Sequence, residues 1–175
     1  MERNSSATGK LLIGTSYEFE YLQNVYNGSN PAPNPSDERT TSSIFSIFLS
    51  YSITDNISVE GVFPWRNIVN AKNNIDFDGD IPTGLYERKS NGFSDALLIY
   101  KYSDFFLDDA VMVTFGGGVK LATGSITATD DYENILSETL QVGSGALDPV
   151  LSLFIGYPNN KWLFSGNFFT RLSAH

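Results

Sequence analysis

The residues of this chain that are best placed for chemistry are nine charged side chains set among small and apolar neighbours. No nucleophile elbow, phosphate-binding loop or catalytic carboxylate pair accompanies them. The chain also has no cysteine, which excludes disulfides, thiolate metal sites and cysteine nucleophiles. We therefore expect neither enzymatic activity nor a cofactor. The nine residues are Glu18, Glu20, Glu60, Arg66, Asp95, Lys101, Lys120, Asp148 and Arg171.

A second candidate for chemistry is an acidic run that resembles the first half of a calcium-binding loop. Alternating oxygen ligands followed by Gly79 suit a hard cation. The bidentate glutamate expected six residues later is absent, because Leu85 occupies that position, although Glu87 lies nearby. A solvated acidic loop is the simpler interpretation of so short a match. The oxygen-bearing candidates are Asn74, Asp76, Asp78 and Asp80.

The segments that carry the nine charges alternate between two kinds of residue with a period of two, which predicts β-strands. All nine charges fall on one mixed face, rich in glycine and serine, and none falls on the opposite apolar face. The best helix candidate, Asp130–Leu140, is expected to be a loop with at most one or two helical turns. The predicted strands are Leu11–Leu22, Ser43–Ile53, Ile57–Arg66, Gly92–Tyr102, Val111–Leu121, Leu147–Tyr157 and Trp162–Ser173.

Two architectures accommodate such faces. A soluble barrel or sandwich hides the apolar face inside, whereas a membrane barrel turns it toward lipid and keeps a polar interior. Strand length favours the membrane barrel, since about 9–11 tilted residues cross a bilayer and soluble strands average about 5–6. The connections also alternate: 54–56, 103–109 and 158–161 are short, and 23–42, 67–91 and 122–146 are long.

Aromatic positions agree with a membrane barrel, in which amphipathic rings form belts at both interfaces. At the end with the short turns, the outward rings are Tyr51, Tyr100, Tyr102, Tyr157 and Trp162. At the end with the long loops, they are Tyr21 and Trp65.

Charge and hydropathy exclude other classes. The net charge of −9 argues against a nucleic-acid partner, which requires a basic surface. The longest apolar run, Ala96–Tyr100, has five residues, so a membrane-spanning helix of about 20 is excluded. The first residues show no secretory signal pattern. The long loops hold ten acids and four bases, a net charge of −6, which would allow divalent cations to bridge them to lipopolysaccharide.

One segment has an internal echo. Gly92–Leu98, with Asp95 at its fourth position, is followed 53 residues later by Gly145–Leu151, with Asp148 at its fourth position. Each copy opens a strand after a long loop and places its aspartate on the mixed face. The echo suggests a repeating two-strand unit.

Several motifs resemble a bacterial outer-membrane family described as the putative meta-pathway of phenol degradation. The matching residues are the Gly92-x-x-Asp95 strand start, Gly116 to Gly124 around Lys120, Gly143-Ser-Gly145 before Asp148, and Phe63-Pro64. The resemblance covers about residues 43–172, with Ala122 in place of the usual proline. It implies an outer-membrane β-barrel of transporter type, with hydrophobic or aromatic solutes as the associated substrates.

We therefore predict an all-β fold: one antiparallel up-and-down transmembrane β-barrel domain over residues 1–175, with 1–9 as a tail. Because bacterial barrels have an even strand number, about seven strands predict an incomplete barrel, a fragment or truncated gene model. The expected location is the outer membrane of a Gram-negative bacterium. The expected partners are membrane lipid and lipopolysaccharide, with no nucleic acid.

The expected function is passive passage or binding of a small solute through the polar lumen. The nine charges would contact solutes or brace the lumen as ion pairs, and Phe48, Phe154 and Phe169 would narrow the path. Asp95 and Asp148 have a further possible role, in which they bind backbone amides at loop ends. Two other functions stay open: a soluble lipocalin-like binding protein with inverted faces, and a structural or adhesive surface barrel without transport.

Overall fold

The computed structural model describes residues 8–23, 25–34, 36–75, 82–106, 110–159 and 161–172. The fold is all-β, as the alternation predicted, and helical structure in the described residues is confined to a 3-10 turn, Glu138–Leu140. The strands are β1 (Leu11–Leu22), β2 (Val25–Asn27), β3 (Asn30–Ala32), β4 (Arg39–Ser52), β5 (Ile57–Ile75), β6 (Pro82–Phe93), β7 (Leu97–Phe106), β8 (Val111–Lys120), β9 (Asp148–Asn159) and β10 (Trp162–Arg171).

The main sheet is an antiparallel meander in the order β1-β4-β5-β7-β8-β9-β10, with β6 paired to the upper part of β5. Here "upper" means the end of the sheet that carries the long connections. The sheet is curled, as shown by the side chains from seven of its strands that line one common cavity. Among the described strands, β1 and β10 each have a single neighbour, so the sheet is an open half-barrel. A separate small hairpin, β2–β3, lies in the first long connection.

The hairpin β5–β6 is longer than the sequence predicted. We expected a loop over residues 67–91, but β5 continues to Ile75 and β6 returns from Pro82. This extension contains few apolar residues, and the alternation that marks the other strands is weak there. It is stabilised instead by packing on its inner side, where Ile68 and Ser90 are both buried.

A bulge separates β6 from β7 opposite Pro64. Trp65 pairs with Phe93 and Val62 pairs with Leu97, so two residues of β5 face three residues of the returning chain. Proline has no N–H to donate across the sheet, which explains why the regular ladder stops there. The Ser94 amide donates to the Pro64 carbonyl at 2.8 Å. As a result Ser94 and Asp95, although consecutive, both line the inner face.

The outer face of the half-barrel is apolar and exposed. Leu, Ile, Phe, Tyr and Trp side chains at alternating positions of every long strand remain accessible there. Within the described residues no helix is both long and apolar enough to cross a membrane. The packed core is not between two sheets. It lies at the upper end, where Ile68 of β5 contacts Leu136 and Leu140 of the connection between β8 and β9.

Candidate functional site: a charged lumen under an infolded loop

The structure places the predicted charged residues on the concave face. Eight of the nine line one of two cavities inside the curl. The ninth, Glu20, has the same strand parity as Glu18 and is exposed near the upper end of β1. The lower cavity is lined by Glu18, Glu60 and Lys101, and the upper one by Arg66, Asp95, Lys120, Asp148 and Arg171.

The lower cavity has a volume of about 830 Å³ and receives side chains from both edges of the sheet. Its charged centre is the pair Lys101 Nζ–Glu60 Oε2, at 2.5 Å. Both side chains are about three-quarters buried, and the pair joins β5 to β7. The three predicted bulky residues, Phe48, Phe154 and Phe169, also line this cavity.

The upper cavity contains a cluster of four charges, of which three are buried and the fourth, Arg171, is about half exposed. Lys120 Nζ lies 2.7 Å from Asp148 Oδ2 and 3.4 Å from Asp95 Oδ2. Arg171 Nε lies 3.5 Å from the same Asp148 oxygen. Lys120 of β8 is in direct register with Leu97 of β7 on one side and with Asp148 of β9 on the other. Asp95 precedes Leu97 by two residues and Arg171 lies on β10, so the cluster joins four adjacent chain segments. The two echoed aspartates therefore lie on either side of one lysine.

Asp95 also holds the ends of the connection 121–147, which we call the infolded loop. Its carboxylate accepts hydrogen bonds from the Gly124 amide at 2.9 Å and the Ser144 amide at 2.8 Å. The Ser144 hydroxyl donates to the same carboxylate at 2.6 Å. This geometry confirms the amide-binding role that the sequence left open for Asp95. Gly124 and Gly143 approach so closely that a Cβ on either would clash with the other backbone.

The body of the infolded loop packs against the inner wall of β5–β6. Leu136 and Leu140 are 6% and 5% exposed, and both contact Ile68. Two wall serines donate to loop carbonyls: Ser90 to Leu140 and Ser94 to Val142. Burial of two leucines at about 2 kcal/mol each indicates that the loop is held in this position and is not a free surface segment. The loop therefore covers the upper lumen from inside.

The tip of the infolded loop is ordered by Asp130. Its Oδ1 accepts hydrogen bonds from the amides of Tyr132 and Asn134, both at 2.9 Å. Burial alone would raise the pKa of Asp130, but these hydrogen bonds to the charged form outweigh it and lower the pKa below its ordinary value. The carboxylate thus stabilises this turn in its ionised state.

Sequence reasoning missed the infolded loop and with it Ser144, Leu136 and Leu140. The only signal was the leucine content of the segment that we assigned to a loop. Of the calcium candidates, Asp76, Asp78 and Asp80 lie outside the described residues, and of Asn74 only the backbone, at the end of β5, is described. No group of three or more potential metal-ligating side chains occurs in the described part of the chain.

Comparison of the chain with protein-family models, with curated proteins and with solved structures gives no match, so the geometry of the half-barrel is the basis for assigning a function.

Proposed function

We propose that this chain forms the wall of a β-barrel in a bacterial outer membrane and passes or binds small solutes through its charged lumen. One observation carries the proposal: the curl turns the largely apolar face outside and the face with the nine predicted charges inside. A soluble lipocalin-like barrel requires the reverse arrangement. The described side chains therefore favour the membrane barrel over that alternative.

An aromatic row at the upper end of the apolar face supports a lipid interface. Tyr17, Phe45, Trp65 and Phe93 are in register across four neighbouring strands. Trp65 and Phe93 form an edge-to-face pair with ring centroids 4.9 Å apart. Beyond Phe93 on the same face, β6 carries Asn91 and then the charged pair Lys89–Glu87. A change from apolar to charged at a row of aromatic rings is typical of a membrane boundary.

The height of the apolar face agrees with a bilayer. From Ile57 at the lower end of β5 to Trp65, the strand rises about 26 Å at about 3.3 Å per residue. A tilt of about 40° reduces this height to about 20 Å, close to the apolar band of about 25 Å in outer-membrane barrels. The part of β5–β6 beyond Trp65 would then project from the membrane with the infolded loop.

The resemblance to the phenol-degradation outer-membrane family supports the same assignment. Passage would be passive, with ion pairs and bulky side chains shaping the lumen. The pair Glu60–Lys101 and the cluster around Lys120 would brace the wall, since paired charges exert little net field on a solute. The acidic outer connections would face lipopolysaccharide, with divalent cations between them.

The infolded loop favours a second candidate, a surface barrel that does not conduct. It packs against the inner wall and covers the upper lumen, so the cavities would bind solutes without letting them through. Planar-bilayer conductance separates these two forms of the proposal. Passage predicts ion currents from the refolded chain, and a sealed barrel predicts none.

The membrane assignment is tested by detergent dependence. We expect a monodisperse, sheet-rich species only in detergent or lipid, because the exposed apolar face aggregates in water. A monodisperse folded chain in plain buffer, shown by circular dichroism and light scattering, would contradict the proposal.

A further inference from the structure

The upper cavity has the size and lining of a ligand site. Its volume is about 670 Å³, within the range of roughly 300–1,000 Å³ that is usual for small-molecule sites. The inner wall forms one side and the infolded loop forms the other. Three basic side chains line it, namely Arg66, Lys120 and Arg171.

Two of these three bases are neutralised by their neighbours. Lys120 and Arg171 share the cluster with Asp95 and Asp148, so the four formal charges sum to zero. The remaining acid at the cavity wall, Glu138, is exposed on the infolded loop. Among the described residues, neither Glu138 nor any other carboxylate lies within ion-pair distance of Arg66.

Arg66 is oriented although it is not paired. Its Nε donates to the hydroxyl of Ser42 at 3.2 Å, and Ser42 is 4% exposed on the neighbouring strand β4. Within the described part of the chain, its two terminal nitrogens have no hydrogen-bond partner. A guanidinium held at Nε presents its outer edge to a ligand, and that edge matches the two oxygens of a carboxylate.

Apolar side chains line the same cavity beside the charge. Leu97 and Phe169 come from the wall, and Val142 comes from the infolded loop. Leu97 and Phe169 also line the lower cavity, so the two spaces adjoin. A site with one oriented cation and an apolar lining suits a ligand with one anionic group and an apolar body.

From this arrangement we infer that the upper cavity binds a small organic carboxylate with an apolar chain, anchored by Arg66. This inference rests on the proposed function, because it places the site within the lumen of the barrel. Arg66 is then the one residue among the nine charges that contacts the solute directly, whereas the cluster around Lys120 holds the loop.

The test uses the full chain refolded in detergent micelles. Hexanoate, hexanamide and acetate are each titrated into it, and binding is measured by isothermal titration calorimetry. Hexanoate should bind saturably, and hexanamide and acetate should each bind about 10-fold more weakly or worse, since one lacks the charge and the other the apolar body. Arg66→Gln should weaken hexanoate binding by about 10-fold or more. Arg39→Gln is the matched control, since Arg39 pairs with Asp37 outside the cavity, and it should leave affinity within about 2-fold.

Equal binding of hexanoate and hexanamide by the wild-type chain would overturn the inference without any variant, so a folding defect in Arg66→Gln cannot hide the answer. Equal affinities of hexanoate and acetate, or of wild type and a folded Arg66→Gln, would overturn it as well. These failures are distinct from failure of the membrane assignment, which is measured by the detergent dependence of the fold.

Discussion

Lys120→Met should destabilise the protein more than any other loss of a lumen charge. Lys120 is 5% exposed, and the side chains of Asp95 and Asp148 are 7% and 3% exposed. Methionine preserves most of the volume but removes the cation shared by both carboxylates. Breaking a buried ion pair costs about 3–5 kcal/mol, because it leaves a buried charge uncompensated.

Most of that cost should come from Asp148. Asp95 keeps three hydrogen bonds from the infolded loop, whereas Asp148 keeps only Arg171 at 3.5 Å, and its Oδ1 has no partner among the described residues. We therefore expect the free energy of unfolding in micelles, from urea titration, to fall by about 3–5 kcal/mol. Combining Lys120→Met with Asp148→Asn should restore most of the loss, since Asp95 keeps its three hydrogen bonds from the infolded loop and the poorly partnered carboxylate is gone.

Lys101→Met is the matched control. The side chains of Lys101 and Glu60 are 27% and 21% exposed, so water can solvate the remaining carboxylate. Its cost should be about 1 kcal/mol. The reasoning is refuted if Lys120→Met costs no more than Lys101→Met, or if the double variant Lys120→Met/Asp148→Asn is as unstable as Lys120→Met alone.

Three further predictions concern packing and the infolded loop. Gly118→Ala should lower the free energy of unfolding by about 1–3 kcal/mol, because the new Cβ would meet the backbone of Leu98. A Cβ at Gly117 has open space, so Gly117→Ala should change stability little, and equal urea midpoints for the two variants would contradict this. Asp95→Ala should speed hydrogen–deuterium exchange in 121–147, and unchanged exchange would show that Asp95 does not hold the loop. The pKa of Asp130, measured by carbon NMR, should lie below its ordinary value of 3.8. The ionised carboxylate therefore stabilises the fold above pH 3.8, and this contribution is lost as the pH falls through the lower pKa of the folded state. A measured pKa at or above 3.8 would contradict the turn geometry.

The faces of the sheet could be predicted from sequence because side-chain alternation is a local property of a strand. Strand β1 has the predicted bounds, Leu11–Leu22, and every predicted lumen charge has the expected parity. Alternation did not predict the extension of β5–β6. There Asn70 is buried with its amide hydrogen-bonded to Thr40 and Arg88, and Ile68 is buried against the infolded loop. Burial of that kind depends on tertiary contacts, which a local pattern does not contain.

The cluster around Lys120 was half visible in the sequence. The echo placed Asp95 and Asp148 at equivalent points of two strands, and Lys120 stood at the end of the strand between them. Their contact still required the register of three strands, and that register depends on the bulge opposite Pro64. The sequence did not show that Arg66 lacks a carboxylate partner among the described residues, because this depends on where the acidic side chains of other strands lie in the fold.

The measurement that tests the account most directly is quenching of tryptophan fluorescence by brominated lipids. The chain has two tryptophans, Trp65 and Trp162, and both lie exposed on the outer face. In vesicles with bromines at different acyl depths, the proposed membrane placement predicts strong quenching of both residues, greatest near the headgroups because it puts each of them at an interface. Trp65→Phe and Trp162→Phe assign the two signals. Emission that is insensitive to brominated lipid would contradict the placement of the apolar face against the membrane.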